Sequence, residues 1–426
     1  MGRSSQLHWD TSEKEIPLSA WQNRFQWIEE FQASPDGESV AAIVKAGEGA
    51  FTACVNGEPW PESFDKMWYL RYSPDGRLTA LVSKESEWTV AVDGTPWENR
   101  FGYAYNTLFN ADGSRIAIAF QQDMAYGMAC DDAPWEQTFA NMTNPLFSPD
   151  GSHTAAAVQV DTLGEGDIFK YQQGVYSAAL DGSPWAARFV NVWKMAVNTD
   201  ASKLAAEVRL NLYDYTIAVN GTPWDQIFSC VWEPVFHPIR GSVVAPVRVQ
   251  GKWTLAEDGR IIWDRRFVQL WNQMFSPDGK RLSAIVAPKF GRWTVAVDGS
   301  PWPATFNEMV TDVVFSSDGA HVAATVKDKG RWSVAVDGTA WRSTFDMAWK
   351  PVFSPDGRCV AARVQRNGKY TIAVNGRSWP RDCDAAWDPV FSPDGERLLL
   401  RTIEGQTYFR RVLPVADIAG SEGTHG

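Results

Sequence analysis

The residues of this 426-residue chain that could do redox or metal chemistry are few and scattered. Its five cysteines are Cys54, Cys130, Cys230, Cys359 and Cys383, and no two of them form a Cys-x-x-Cys pair. The five histidines are dispersed in the same way. Zinc, iron–sulfur clusters and covalently attached haem all need sets of such ligands at short spacing. We therefore expect no metal, no cofactor and no disulfide framework, and cysteines that stay reduced.

A second group of reactive side chains consists of acidic or amide residues that are each followed by glycine. The positions are Asp93, Asp181, Asn220, Asp298, Asp337 and Asn375. A set of carboxylates could bind a metal or transfer protons, but Asp-Gly and Asn-Gly are also the strongest sequence signal for a tight β-hairpin turn. We interpret them as turn residues. No nucleophile elbow, phosphate loop or metalloprotease helix occurs in the chain, so no catalytic residue is predicted and the protein is not expected to be an enzyme.

These turns belong to a unit that the chain repeats ten times. Each unit carries a tryptophan, at Trp21, Trp60, Trp97, Trp135, Trp185, Trp224, Trp263, Trp302, Trp341 and Trp379. Phenylalanine comes four residues after the first nine of these tryptophans, and Cys383 after the tenth. A constant period of about 39 residues is typical of propellers and solenoids. The tryptophans are therefore expected to pack between repeats rather than to do chemistry.

One unit contains four short strands. Around Trp293 to Val297 apolar and polar residues alternate, which predicts a strand with one better-buried face. Asp298-Gly299 then makes the turn, and Trp302 and Phe306 are predicted to share one face of the next strand. A second turn, Ser-Pro-Asp-Gly, separates the two preceding strands and recurs at Ser34, Ser73, Ser148, Ser276, Ser354 and Ser392. Four antiparallel strands in a unit of this length predict a propeller blade.

The predicted fold is all-β, a single closed β-propeller of about ten four-stranded blades over residues 16–413. Residues 16–25 carry a fourth strand without its partners, and the C-terminal unit lacks that strand. We therefore predict that residues near 17–25 pair with residues near 406–413 and hide both sheet edges. A solenoid and two smaller rings are the alternatives. Residues 1–15 are predicted to be a polar tail, and residues 414–426 a disordered one.

The charge and hydropathy of the chain exclude several classes of partner. The formal net charge is −11 and no basic run occurs, which argues against nucleic acid and against an anionic membrane surface. No apolar stretch is long enough to span a membrane, and the first residues do not form an export signal. A cytoplasmic protein is expected.

The regular spacing fails between Trp135 and Trp185, where one unit is longer than the others. The extra residues, 161–175, lie between the second and third strands of that unit and include Phe169 and Tyr171. Loops carry function more often than frameworks do, and aromatic residues are enriched among interface anchors. Phe169 and Tyr171 are therefore the candidate partner contacts. The alternative is a hairpin extension without a function.

Two resemblances follow from these motifs. The Ser-Pro-Asp-Gly turns resemble the WD40-like repeats of TolB and tricorn-type propellers, which is informative for fold and not for function. The repeated Val-Asp-Gly-x-Pro-Trp-x-x-x-Phe hairpin is similar to the tryptophan-rich D subunit of the Tmc transmembrane redox complex of sulfate-reducing bacteria.

The Tmc resemblance implies a non-catalytic accessory subunit of an electron-transfer complex, without a cofactor, at the cytoplasmic side of the inner membrane. It also implies a cytochrome b-type membrane subunit and an iron–sulfur subunit related to heterodisulfide reductases as partners, and a periplasmic multihaem cytochrome in the same complex. A soluble protein- or ligand-binding propeller unrelated to redox chemistry is the alternative, and a hydrolase that uses the central channel comes third.

Overall fold

A computed structural model describes residues 8–420 of the chain. Its strands form ten antiparallel sheets. In nine of them the strands follow one another in chain order as they do in a propeller blade, and the tenth also takes in the first strand of the chain. Strand β1 (Ser12–Pro17) and helix α1 (Ser19–Arg24) come first. β1 joins the sheet at the C-terminal end of the chain. The predicted fold class, an all-β propeller of ten blades in which an N-terminal strand pairs with the C-terminal blade, is confirmed.

Blades 1 to 5 each contain four strands, and blade 4 also carries a short helix between its second and third strands. Their bounds are β2 (Ile28–Ala33), β3 (Val40–Gly47), β4 (Ala50–Val55) and β5 (Glu58–Pro59); β6 (Lys66–Tyr72), β7 (Leu78–Lys84), β8 (Glu87–Val92) and β9 (Thr95–Pro96); β10 (Tyr103–Phe109), β11 (Ile116–Gln122), β12 (Ala125–Cys130) and β13 (Ala133–Pro134); β14 (Met142–Phe147), β15 (Thr154–Gln159), α2 (Ile168–Gln173), β16 (Tyr176–Leu180) and β17 (Ser183–Pro184); β18 (Asn191–Val197), β19 (Leu204–Arg209), β20 (Tyr215–Val219) and β21 (Thr222–Pro223).

Blades 6 to 10 follow the same plan, except that the first strand of blades 9 and 10 is split into two short pieces. Their bounds are β22 (Val235–Phe236), β23 (Val243–Val249), β24 (Lys252–Glu257) and β25 (Arg260–Ile261); β26 (Gln269–Phe275), β27 (Leu282–Lys289), β28 (Arg292–Val297) and β29 (Ser300–Pro301); β30 (Met309–Phe315), β31 (Val322–Asp328), β32 (Arg331–Val336) and β33 (Thr339–Ala340); β34 (Met347–Ala348), β35 (Val352–Phe353), β36 (Val360–Arg366), β37 (Lys369–Val374) and β38 (Arg377–Ser378); β39 (Ala385–Ala386), β40 (Val390–Phe391), β41 (Arg397–Glu404), β42 (Thr407–Pro414) and the final helix α3 (Ala416–Ala419).

The chain divides into two compact units. The first contains residues 21–250 and 255–262, and so holds blades 1 to 5 and most of blade 6. The second contains residues 8–20, 251–254 and 263–420, with blades 7 to 10 and β1. Each unit has its own apolar clusters, which lie between neighbouring sheets of that unit.

The N-terminal strand lies earlier in the chain than predicted. β1 pairs with β42 in an antiparallel register that runs from Ser12 opposite Val412 to Pro17 opposite Thr407. The segment predicted as strand is mostly helix α1, whose Trp21 is buried. The prediction of a polar tail over residues 1–15 is therefore wrong for residues 12–15, and residues 1–7 lie outside the described part of the chain. Polar residues are tolerated in β1 because all four side chains before Ile16 face solvent.

The C-terminal prediction also needs correction. Pro414 still belongs to β42, and helix α3 follows it with Ile418 and Ala419 buried. These side chains pack in a cluster with Trp379 and Leu400. Residues 414–420 are thus part of the folded chain because their apolar side chains cover the last blades of the second unit. Residues 421–426, for which disorder was also predicted, lie outside the described residues.

The hairpin that carries the repeated tryptophan is less regular than a pair of strands. In blade 7 the fourth strand, β29, contains only Ser300 and Pro301, and it ends before Trp302. The backbone N–H of Trp302 donates to Val295 at 2.9 Å, and Phe306 exchanges two backbone hydrogen bonds of 2.8 Å with Trp293. The prediction that Trp302 and Phe306 share one continuous strand is therefore wrong. The segment between them leaves the sheet and returns at the phenylalanine.

The third strand of each blade is buried on both faces. In β28 the side chains from Thr294 to Val297 are all buried, so the alternation seen in the sequence does not separate an inner from an outer face. Blades have neighbouring sheets on both sides, and their central strands behave like the strands of a sheet covered on both faces. Thr294 satisfies its hydroxyl by donating to the carbonyl of Ala304 at 2.7 Å. This bond holds the irregular segment after Trp302 against β28.

The repeated tryptophans lie between successive blades, as predicted. In eight cases the indole faces the turn glycine of the following unit: Trp21 and Gly57, Trp60 and Gly94, Trp135 and Gly182, Trp185 and Gly221, Trp224 and Gly259, Trp263 and Gly299, Trp302 and Gly338, Trp341 and Gly376. A Cβ placed on Gly338 would lie 3.1 Å from Cγ of Trp302. Glycine is therefore needed there for close approach as well as for its φ of 84°.

The Asp-Gly pairs form the predicted turns. Asp298 and Gly299 have φ values of 51° and 78°. The Asp298 carboxylate does more than favour the turn, because it accepts from the backbone N–H of Leu282 at 2.9 Å and from Nε of Arg281 at 3.2 Å. Asn220 makes the equivalent bond to Leu204. The side chain thus ties the turn to the start of the second strand.

Asp298→Ala is expected to lower the free energy of unfolding by about 2 kcal/mol, because the N–H of Leu282 loses its acceptor and alanine is disfavoured at positive φ. Asp298→Asn should cost much less, since asparagine already serves this role at Asn56, Asn220 and Asn375. Urea unfolding curves of the two variants provide the comparison. If both variants lose the same unfolding free energy, the hydrogen bond from Leu282 to the side chain at position 298 contributes nothing to stability.

Candidate protein-binding surface

The long connection in blade 4 is folded and anchored. At its base the N–H of Val160 donates to the carbonyl of Val175 at 2.8 Å, which extends the pairing of β15 and β16 by one step. Helix α2 follows Asp167, whose side chain accepts from the N–H of Lys170. Lys170 Nζ donates to the carbonyl of Thr162 at 2.7 Å. The connection therefore has one defined conformation rather than being an open loop.

The two residues predicted as partner contacts lie on different faces of α2. Phe169 is 80% exposed, and the preceding Ile168 is 62% exposed. Tyr171 is half-buried, and its hydroxyl donates to Oδ1 of Asn191 at 2.8 Å. Residues two apart on a helix point in different directions. Phe169 is thus available to a partner, whereas Tyr171 attaches the helix to the first strand of blade 5.

The neighbouring hairpin of blade 5 presents further apolar side chains. Its turn between β19 and β20 carries Leu212 and Tyr213, and Tyr213 is 78% exposed. Asn211 orders this turn by accepting from the N–H of Tyr213 at 2.9 Å. Arg209 fixes its other side through Nη2, which donates to the carbonyl of Leu212 at 2.7 Å.

Asn191 connects the two hairpins. Its Oδ1 atom accepts from Tyr171 in blade 4 and, at a longer 3.5 Å, from Nη1 of Arg209 in blade 5. The exposed side chains of both hairpins therefore occupy the same edge of adjacent blades and are held by one polar network. We call this surface the apolar platform, and it consists of Leu163, Ile168, Phe169, Leu212 and Tyr213.

Sequence reasoning found only part of this surface. The insertion was visible from the spacing of the tryptophans, but the hairpin with Leu212 and Tyr213 lies in a unit of ordinary length. Its signal is the occurrence of two large apolar residues at a hairpin tip, where polar turn residues are the rule. The link through Asn191 could not be read from the sequence because it depends on how blades 4 and 5 pack.

A half-buried carboxyl, that of Glu207, lies in blade 5. Glu207 is on β19, opposite Ile217, at a position where blades 1 and 7 have Ile43 and Ile285. Burial and then the carboxylate of Glu233 raise the pKa of Glu207 to about 7, although the backbone N–H of Lys194 donates to it. Cys230 is near enough for the Glu207 charge to raise the pKa of its thiol further.

Glu207 is expected to make stability depend on pH. Because its pKa in the folded chain is above the ordinary value, the stabilising contribution is complete below about pH 4.5 and is lost as the pH rises through 7. Between those pH values the free energy of unfolding of the wild type should fall by on the order of 3 kcal/mol more than that of Glu207→Gln. Urea unfolding of both proteins from pH 5 to pH 8 measures this difference. Parallel pH profiles would contradict the assignment.

Other reactive groups are dispersed in the structure as well. The five cysteines are unpaired, and burial raises the thiol pKa of Cys54 to about 11 and that of Cys383 to about 12. Thiols with such pKa values remain protonated and are poor nucleophiles. Within residues 8–420 no three His, Cys, Asp or Glu side chains are grouped closely enough to hold a metal ion. Over the same range, none of the helices has the length and apolar character needed to cross a membrane.

Comparison with known proteins identifies no family. No protein-family profile and no curated protein sequence matches this chain. Solved structures do match. One, described as a crystal structure of the eukaryotic initiation factor, has a TM-score of 0.49 and 12% identity, and the match covers 78% of this chain and 90% of that one.

A second match, described as the structure of the Dos1 propeller, has a TM-score of 0.38 and 11% identity, with 73% of this chain and 92% of that chain covered. At such identities a similarity says nothing about function. The blade architecture given above rests on the strands and registers of this chain itself.

Proposed function

We propose that this chain is a non-catalytic scaffold that binds a protein partner through the apolar platform. The observation that carries the proposal is the exposure of Phe169, Ile168 and Tyr213 on two hairpins that a shared hydrogen-bond network orders. An ordered apolar surface is costly to leave in water and loses little further entropy when a partner covers it. Exposed side chains of this kind, in particular aromatic ones, act as interface anchors.

The more specific proposal is that the partner belongs to a membrane-associated electron-transfer complex. This proposal rests on the similarity of the repeated tryptophan hairpin to the D subunit of the Tmc complex. The partners would be an iron–sulfur subunit related to heterodisulfide reductases and a cytochrome b-type membrane subunit, and the chain would lie peripherally at the cytoplasmic side. It would carry no cofactor of its own, and its raised cysteine pKa values agree with thiols that take no part in chemistry.

Replacement of residues 161–174 by Asn-Gly tests whether the apolar platform binds the partner. Val160 and Val175 are kept, because their hydrogen bond closes the base of the connection and Val175 is buried. The shortened protein should unfold cooperatively like the wild type and should recover much less of the iron–sulfur subunit from a detergent extract of native membranes. Phe169→Ser should have the same effect on recovery. Met124→Ser is the matched control, since Met124 is equally exposed on the corresponding hairpin tip of blade 3.

Three outcomes would each contradict a different part of the proposal. If the shortened protein and Phe169→Ser recover the partner as well as Met124→Ser does, the platform is not the binding surface. If the platform-dependent partner carries no redox centre, scaffold function stands and the link to electron transfer is wrong. A haem, flavin or iron–sulfur absorption band in the chain purified alone would contradict the cofactor-free proposal.

A further inference from the structure

A groove of about 680 Å³ lies between blades 5 and 6 in the first unit. One side is the segment after β21, and the other consists of the end of β23 and the turn at β25. Residues 226–229, 248–250 and 259–261 line the groove. The volume is in the range of ligand-binding clefts, and the groove is open to solvent. It is separate from the apolar platform, which uses the hairpins of blades 4 and 5.

The chain departs from its own repeat at this groove. In the other units with this turn, two residues separate it from the tryptophan, but here Asp258-Gly259 is followed by Arg260, Ile261 and Ile262 before Trp263. The N–H of Ile262 donates to the carbonyl of Leu255 at 2.9 Å, a bond that Trp224 makes to Ile217 in blade 5. The turn itself therefore has its ordinary length, and the extra residue of this unit lies between Ile262 and Phe267. Arg260 and Ile261 take the positions that Thr222 and Pro223 have in blade 5, and there they line the groove.

The groove combines apolar side chains with two guanidinium groups that lack acidic partners. Ile227 and Ile261 are each more than 40% exposed. Neither Arg248 nor Arg260 forms an ion pair within residues 8–420, whereas many other arginines, such as Arg188 and Arg240, do. Backbone contacts hold Arg248 in place, since its N–H donates to Cys230 at 2.9 Å and its carbonyl accepts from Ser229. Guanidinium groups suit carboxylates because their N–H groups form paired hydrogen bonds.

We propose that this groove binds an extended peptide segment in which acidic side chains flank an apolar one. Arg248 and Arg260 would pair with the carboxylates, and the apolar side chain would contact Ile227, Val249 and Ile261. The Ser229 hydroxyl donates to the Arg248 carbonyl and Nε2 of Gln226 to the Ile227 carbonyl, so the side-chain oxygens of both residues remain as acceptors for backbone N–H groups of the peptide. Positive charge at this groove contrasts with the net charge of −11 of the whole chain, so an acidic segment is attracted here and repelled from most other surfaces.

Fluorescence anisotropy with defined peptides tests this inference. A labelled peptide of alternating Glu and Ile should bind the full-length protein saturably and more weakly at high salt. The double variant Arg248→Gln, Arg260→Gln should weaken binding about tenfold or more. Ile261→Ser should weaken it while the charge stays the same. Arg342→Gln is the matched control, because Arg342 is an exposed arginine outside the groove and its loss should change nothing.

Four results would overturn the inference. Binding of a Lys–Ile peptide as tight as that of the Glu–Ile peptide would exclude charge recognition. An unchanged affinity in the double variant, whose folding is checked by its melting curve, would place the peptide elsewhere. Equal competition by citrate would mean that the groove takes a small anion and does not recognise a peptide. An absence of saturable binding at millimolar peptide would be equally decisive.

Discussion

A chain that lacks residues 1–17 is expected to lose at least about 4 kcal/mol of unfolding free energy, because β1 closes the edge of blade 10. Its removal takes the buried Ile16 away from Tyr408, which is fully buried opposite it. It also removes Glu13, which pairs with Arg411, a guanidinium only 1% exposed that also contacts Glu404. A buried cation that loses one of its acidic partners is strongly destabilising.

Chemical denaturation of the truncated and intact proteins measures the effect. Glu15→Ala is the control, since Glu15 lies in the same strand with its side chain exposed and should change stability by less than about 0.5 kcal/mol. A synthetic peptide of residues 8–18, added to the truncated chain, should raise its melting temperature in a concentration-dependent way. A truncated chain with the midpoint of the intact protein would show that β1 adds nothing to blade 10.

Trp341→Ala is expected to lower the unfolding free energy by about 3 to 5 kcal/mol, the range found for large aromatic side chains in protein cores. The indole is 9% exposed and packs in a cluster with Val334, Phe345 and Val360. Its Cβ lies 3.2 Å from the position that a Cβ on Gly376 would take. Removing it therefore leaves a cavity between blades 8 and 9 that the rigid strands on either side cannot fill.

Trp302→Ala provides the comparison at an equivalent position. Trp302 is only half-buried, so its loss should lower the unfolding free energy less than that of Trp341, although both follow an Asp-Gly turn and precede a phenylalanine by four residues. Gly376→Ala should also destabilise the protein, because its methyl group would meet the indole of Trp341 at a φ of 80°. The urea midpoints of unfolding of the three variants, compared with that of the wild type, measure these losses of stability. A Trp341→Ala midpoint close to that of the wild type would exclude a packing role for this tryptophan.

The repeat could be read from the sequence because its main determinants are local. Turn residues such as Asp298 and Gly299 adopt positive φ whatever surrounds them, and a tryptophan and phenylalanine at constant spacing identify each unit. Counting these units predicted ten blades. The incomplete units at the two ends of the chain predicted that they share one blade. The position of the N-terminal strand did not, because the polar sequence from Ser12 to Glu15 has no apolar period that would predict β1.

By itself, then, the sequence determined the number of blades, the turns between strands and the presence of an insertion in blade 4, since each depends on residues close together in the chain. Only the tertiary structure decided which faces are buried, because β28 is covered by neighbouring sheets on both sides. It also decided that Phe169 is exposed while Tyr171 is used for anchoring, through Asn191 of the next blade. Contacts between blades join residues far apart in sequence, and no local pattern records which of them meet.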